Sequence, residues 1–296
     1  MTDQELELGL EEDGDFTTLT LMPNPANPRG GVVVLDEWLI DQLHLAMDRV
    51  ESNPPSRGFI LASGSERVFV AGADLAEIES KDDSALFAYL EKAERAYLRI
   101  THLECASVAI IGGSALGGGL EIAMHCDGLI ALETPEDQKP YMVGLPEAGL
   151  GLCPGWGGTQ MLPARMPAPD AILATATGRL FKSNAFPNDL FDMVVARKDD
   201  LAAAARDWLG LHQRHRRWKL PRSIEDLSTD VLIVALDQIA GDLPDTDAAR
   251  AVVDCVKSGT EHGFMTALET EQRMLVSLRH TPTARERLEA FFAGQK

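Results

Sequence analysis

Two glutamates sit where carboxylates are seldom left. Glu121 stands two residues after the glycine triplet Gly117–Gly119, in the apolar run Leu120–Cys126. Glu147 lies among apolar residues and glycines in the segment Tyr141–Thr159. An ionised carboxylate in apolar surroundings is costly unless something uses or neutralises it. The same surroundings raise its pKa toward neutrality, where it can exchange protons with a substrate. Two glycine-assisted helix starts accompany these acids. In Ser107–Asp127 an apolar run passes through the triplet into a short helix, and in Arg67–Ile78 another passes through Ala71-Gly72-Ala73-Asp74 into helical sequence. The first turn of a helix leaves N–H donors unpaired, and its dipole attracts negative charge.

Each feature also has a plainer use. Glycine triplets let a helix pack closely on a strand, Asp74 is a natural N-cap, and Glu147 is compatible with a capping or loop role. A dinucleotide fingerprint does not fit, because the order here is G-G-G-x-E deep in the chain rather than G-x-G-x-x-G after a first strand.

The elements that must position these groups alternate. Gly31–Leu35 is predicted as a strand, Glu37–Glu51 as an amphipathic helix, and Gly58–Ser63 as a strand. A long helix over Ser84–His102 leads into the strand Ser107–Ile111, and Gly128–Leu132 and Phe191–Ala196 are predicted strands. Residues 1–30 are expected to form one opening strand and a loop, and Gln160–Ala176 a helix. From Leu201 the pattern is all helical: Leu201–Leu211, Asp226–Ala240, Ala248–Ser258 and Gly263–Phe292, broken near Pro282. The fold class is α/β, with residues 1–200 as an α/β core and 201–296 as a helical region that covers it or mediates oligomerisation. No internal repeat or low-complexity tract is evident.

The 296 residues carry a net charge of −19, with 45% hydrophobic residues. That acidity disfavours nucleic acid and anionic membranes as partners. No apolar stretch is long enough to span a bilayer, and the acidic N-terminus is unlike a signal or transit peptide. Cys105, Cys126, Cys153 and Cys255 lack metal-ligand spacing and are expected as buried free thiols in a reducing, cytoplasmic setting. One basic cluster, His212–Lys219, reads as a solvated linker face or as a pocket for an anion.

Taken together, two sets of backbone donors and two buried carboxylates suit a thioester whose carbonyl becomes an enolate. The negative oxygen needs two fixed donors, while one acid removes a proton and the other delivers one. The sequence resembles the enoyl-CoA hydratase/isomerase (crotonase) superfamily from about residue 31 to 197. Three motifs occur in order: Val70-Ala-Gly-Ala-Asp-Leu75, Ala115-Leu-Gly-Gly-Gly-Leu-Glu121, and Gly144-Leu-Pro-Glu-Ala-Gly-Leu-Gly151 with Pro154-Gly-Trp-Gly-Gly-Thr-Gln160. Gly263–Phe292 also looks like the end of the hydratase domain of multifunctional fatty-acid oxidation α-subunits, whose dehydrogenase half has no counterpart before Lys296.

The resemblance implies a crotonase-like spiral of ββα units assembled as a trimer or a dimer of trimers. It implies an oxyanion hole from the N–H groups of Ala73 and Gly118, and Glu121 and Glu147 as the catalytic pair. Ala71, Gly72, Asp74, Leu75, Gly117, Pro146 and Gly155 are the implied substrate contacts, with the adenine of CoA near Ala71–Ile78. No metal or cofactor is implied, CoA being part of the acyl-CoA thioester substrate. The expected reaction is hydration of a 2-enoyl-CoA to a 3-hydroxyacyl-CoA. The alternatives are double-bond isomerisation, decarboxylation or thioester hydrolysis through the same enolate, or a non-catalytic acyl-CoA- or RNA-binding role. Position 76, often basic in the family, is Ala76. The 26-residue interval from Glu121 to Glu147 is longer than usual, with the excess expected in the loop Glu133–Lys139.

Overall fold

The computed structural model describes residues 5–27, 30–212 and 221–294, so the basic cluster predicted at His212–Lys219 lies, beyond His212, outside the described residues. An antiparallel hairpin of β1 (Gly9–Asp13) and β2 (Phe16–Leu21) begins it. The expectation of one opening strand was short by one. β1 reads Gly-Leu-Glu-Glu-Asp and forms the polar outer edge of its sheet. Such edges carry charge that blocks further pairing, and that charge masks the strand in sequence.

Helix α1 (Glu37–Ser52) and β3 (Gly58–Ser63) follow, then β4 (Val68–Val70), α2 (Leu75–Ser80) and α3 (Asp83–His102). Next come β5 (Ser107–Ile111), β6 (Ser114–Leu116), α4 (Gly118–Met124), β7 (Gly128–Leu132) and β8 (Met142–Gly144). The chain continues through α5 (Gly158–Met161), α6 (Ala168–Thr177), β9 (Phe181–Lys182) and β10 (Met193–Val195). Helices α7 (Leu201–Leu211), α8 (Thr229–Ile239), α9 (Asp247–His262), α10 (Phe264–Leu278) and α11 (Pro282–Ala293) complete it. One sheet has the order β1-β2-β3-β5-β7-β10, parallel from β2 onward. A smaller sheet has the order β4-β6-β8-β9, with only β9 antiparallel.

Two predicted elements differ. Gly31–Leu35 is not a strand: Leu35 alone makes a bridge, to Ala73. Its neighbour is a turn, so no ladder propagates. Ala71 N–H donates to Val33 O (2.9 Å), Leu35 N–H to Gly72 O (2.9 Å) and Asp74 N–H to Leu35 O (3.0 Å). These bonds fix the shape of the Ala71–Asp74 turn. The helix expected over Gln160–Ala176 is broken into α5, a 3₁₀ turn at Leu162–Ala164, and α6. Pro163 and Pro167 cannot donate the N–H groups that a continuous helix needs.

Capping and packing both position the helices, but packing dominates. Asp36 caps α1 by accepting from Leu39 N–H (2.8 Å), and Asp82 caps α3 by accepting from Ala85 N–H (2.8 Å). A cap contributes about 1 kcal/mol. On α3, Leu86, Tyr89, Leu90, Tyr97 and Ile100 are all buried, at roughly 1.5–3 kcal/mol for each large apolar side chain. In the helical region, α7 lies on the large sheet, where Leu201, Ala205, Trp208 and Leu209 cluster with Ile60, Val108 and Ile130. Helices α9 and α10 pack along one another, α10 also meets α3 and α5, and α11 rests on the turn Glu147–Leu150. The C-terminal helices therefore form walls of the region that holds both glutamates. All four cysteines are buried and unpaired by disulfide. Among the described residues no helix is long and apolar enough to cross a membrane.

Candidate active site

The small sheet aligns three chain segments. Val70 of β4 is in register with Ala115 of β6, and Leu116 of β6 with Gly144 of β8. All three strands are parallel, so their C-terminal ends face one edge, the place where parallel sheets usually receive ligands. Ala73 and Gly118 stand three residues beyond the register pair Val70 and Ala115, and Glu147 stands four beyond Val143, the partner of Ala115. That edge opens on a cavity of about 820 Å³. Ala71, Gly72, Ala73, Leu75, Gly117, Gly118, Glu121, Pro146, Glu147 and Gly155 line it, so every site residue read from the sequence is brought together except Asp74. Asp74 is buried and caps α2, accepting from Ala76 N–H (2.9 Å) and Glu77 N–H (3.4 Å). Among the described residues, the N–H groups of Ala73 and Gly118 donate to no protein acceptor.

Glycine is required at the start of α4 for two reasons. Gly117 has φ +52°, and a Cβ there would stand 2.4 Å from Glu147 Oε1. A Cβ on Gly118 would strike the Trp156 ring at 2.4 Å. The backbone and Glu147 can approach this closely only without side chains between them.

The two carboxylates are held differently. Glu121 is buried, and its Oε1 accepts from Trp156 N–H and Gly158 N–H, both at 2.8 Å. Glu147 is partly exposed, on the cavity, while its Oε2 is buried without a hydrogen-bond partner. Trp156 is itself fixed: its Nε1 donates to Leu90 O (3.0 Å), and its ring lies against Tyr89 and Tyr97 with centroids 5.9 and 5.6 Å away. The loop Glu133–Lys139 runs between β7 and β8, at the end of the small sheet away from the cavity. Ser183 ties that loop at both ends, bonding Thr134 on one side and Tyr141 on the other.

A third buried acid escaped the sequence reading. Glu271 of α10 is fully buried and accepts from Gly157 N–H (2.6 Å), Thr159 N–H (2.9 Å) and the Thr159 hydroxyl. The signal was present, because Glu271 falls on the apolar stripe Phe264, Ala267, Leu268, Leu275 at helical spacing.

Burial pushes all three acids up. Glu147 rises to about 8 by desolvation, against a hydrogen bond from its own backbone N–H, with a smaller upward push from the charge of Glu271. Glu271 rises to about 7 by desolvation, against the pull of its three donors. Glu121 is pushed well above the carboxylate range by desolvation and by Glu147 and Glu271, while the Trp156 and Gly158 donors oppose the rise. An acid pair so placed holds a proton at neutral pH and titrates as a unit. It can take a proton at one end of a small molecule and deliver one at the other.

Solved structures share the architecture and define the class as crotonase-fold. An enoyl-CoA hydratase from Bacillus halodurans is similar with TM-score 0.66 at 20% identity, over 96% of this chain and 99% of that one. A carnitinyl-CoA dehydratase from Mycobacterium thermoresistibile is similar with TM-score 0.68 at 19% identity, over 97% and 90%. Residues 31–215 match the family described as Enoyl-CoA hydratase/isomerase, and the chain belongs to that family. A fatty acid oxidation complex subunit alpha from Aliivibrio fischeri is 31% identical over 282 residues, covering 90% of this chain and 39% of the relative. The chain thus spans about two fifths of that relative's length.

Proposed function

We infer that the protein adds water across the C2–C3 double bond of a 2-enoyl-CoA to give a 3-hydroxyacyl-CoA. The observation that carries this reading is the common edge of the small sheet, which gives one cavity two unpaired backbone donors and two glutamates. Ala73 and Gly118 N–H hold the thioester oxygen as it gains charge in the enolate. Burial raises both acids, but while Glu147 holds the pair's proton its charge no longer opposes ionisation of Glu121, whose two N–H donors take up the charge. Glu121 then holds the attacking water and takes its proton. Glu147, whose buried Oε2 has no donor to stabilise charge, keeps the proton and delivers it to C2. The apolar walls, including Leu90, Trp156 and Leu275, receive the acyl chain. Isomerisation needs only the second of these carboxylates; the presence of both, on one cavity, favours hydration. Membership of the family and similarity to a fatty acid oxidation subunit support an acyl-CoA substrate.

The test is loss of the conjugated-thioester absorbance when the pure protein meets crotonyl-CoA and longer 2-enoyl-CoAs. Hydration removes the signal in proportion to enzyme. Tight acyl-CoA binding in calorimetry without that loss overturns the hydratase assignment in favour of another enolate reaction or a binding role.

The pH profile has a definite sign. The active pair holds one proton, shared between Glu147 and Glu121 in the order just given. As pH rises through about 8, Glu147 ionises and kcat/KM for hydration falls. Dehydration of the 3-hydroxyacyl-CoA starts from the same one-proton pair with the proton on the other acid. The overall reaction neither releases nor consumes a proton, so both directions must decline together. Opposite alkaline limbs for the two directions would show that a different group carries the proton.

A further inference from the structure

Four successive backbone N–H groups, from Trp156 to Thr159, are divided alternately between two acids. Those of Trp156 and Gly158 go to Glu121 of α4, and those of Gly157 and Thr159 go to Glu271 of α10. The Thr159 hydroxyl is a further donor to Glu271, and Thr159 Oγ1 in turn accepts from Gln160 Nε2 (2.7 Å). The Thr159 hydroxyl proton is thereby directed to Glu271, whose three partners here are all donors. Those bonds suit a carboxylate, and each becomes charge-assisted as Glu271 ionises, above about pH 7.

We propose that Glu271 is a positioning residue: by holding the Trp156–Thr159 segment it sets the place and the charge of the Glu121 carboxylate. Glu271 does not line the cavity; it acts through two donors that it leaves for Glu121. This rests on Glu121 being the water-holding acid. Four groups face Glu271 from the elements packed around it: Glu121 of α4, Glu147 beyond β8, Glu94 of α3, and the Cys153 thiol, whose Sγ donates to Glu271 O (3.5 Å). No cation occurs among these four. Glu94 is engaged by Gln272 Nε2 at 2.7 Å. Glu271 thus has two separable effects: it orders the segment, and its charge raises the proton affinity of the catalytic pair.

Two substitutions separate them. Glu271→Gln keeps the shape, removes the charge and turns an amide NH₂ toward donors. Glu271→Asp keeps the charge but falls one methylene short. Ligand-free amide exchange of residues 154–161 and ¹³C titration of the Glu121 and Glu147 carboxylates are measured beside 2-enoyl-CoA hydration. For Glu271→Gln the expectation is faster exchange at Gly157 and Thr159. Its kcat falls roughly 10²-fold, the scale of a small misplacement, with KM within about a factor of three. The alkaline limb moves to lower pH, because a buried negative charge is gone. Glu271→Asp should show the faster exchange and part of the kcat loss with the alkaline limb unmoved.

A folded Glu271→Gln with wild-type kcat and alkaline limb overturns the proposal. If that variant does not fold, a folded Glu271→Asp with wild-type exchange and kcat overturns it equally. Should wild-type protein hydrate no 2-enoyl-CoA, the hydratase reading fails alone. Exchange and carboxylate titration then decide the inference, which falls if neither changes in the variants.

Discussion

Glu147→Gln is expected to abolish most hydration while leaving substrate binding nearly intact. A glutamine amide fills the same space above Gly117, where Glu147 Oε1 already excludes a Cβ, so the cavity keeps its shape. What it cannot do is deliver a proton. Loss of a positioned general acid costs roughly 10²–10⁴-fold in rate. The absorbance assay should therefore show kcat lowered by that factor, while calorimetry with a saturated acyl-CoA shows an affinity close to wild type. Substantial turnover in the variant would remove Glu147 from the proton path.

Glu121→Gln is the companion experiment, with a loss of similar size expected for a different reason. Glutamine offers one carbonyl oxygen, which can go on accepting from Trp156 and Gly158. The segment should stay in place and the melting temperature should barely move. The basic oxygen that takes the proton of water is gone, and general-base loss again costs roughly 10²–10⁴-fold. Combining the two substitutions should cost little more than either alone, because groups that act as a unit are not additive. A double variant slower by the product of the single losses would mean that the two acids work independently.

Legibility in the sequence followed element length and contact range. Gly58–Ser63, Gly128–Leu132 and Leu201–Leu211 were read with the boundaries found, because each is a compact apolar or periodic run bounded by turn residues or charge. The strands β6 and β8 were absorbed into glycine-rich motifs, and β9 carried no reading. Two or three residues are too few to express a period of two, and a strand is stable there only by its neighbours. Yet those neighbours bring Ala73, Gly118 and Glu147 to one edge of the sheet. The motif residues were legible as a group, since glycine beside an acid in apolar sequence has few explanations. Their common edge was not. Glu271 was hidden for a further reason: its donors lie 112 and 114 residues away in the chain, and no local pattern announces such a contact. Gly31–Leu35 is the opposite case, an apolar β-branched run with the look of a strand whose partner is a turn.

The burial of Glu121, Glu147 and Glu271 reaches beyond the reaction. An unfolded chain would release the protons of these acids near pH 4.5, the ordinary glutamate value, whereas the folded protein retains them until about 7 for Glu271 and about 8 for Glu147. Between those limits folding takes up protons from solution, so stability must fall as pH rises, by linkage. Their contribution is fully present below pH 4.5 and is lost as pH climbs through about 7 and then about 8. Most acid-rich proteins lose stability in acid when paired carboxylates are protonated. At this cluster the order is reversed: alkali, not acid, forces charge into the interior. The proton affinity suited to catalysis is thus also an alkaline weakness of the fold.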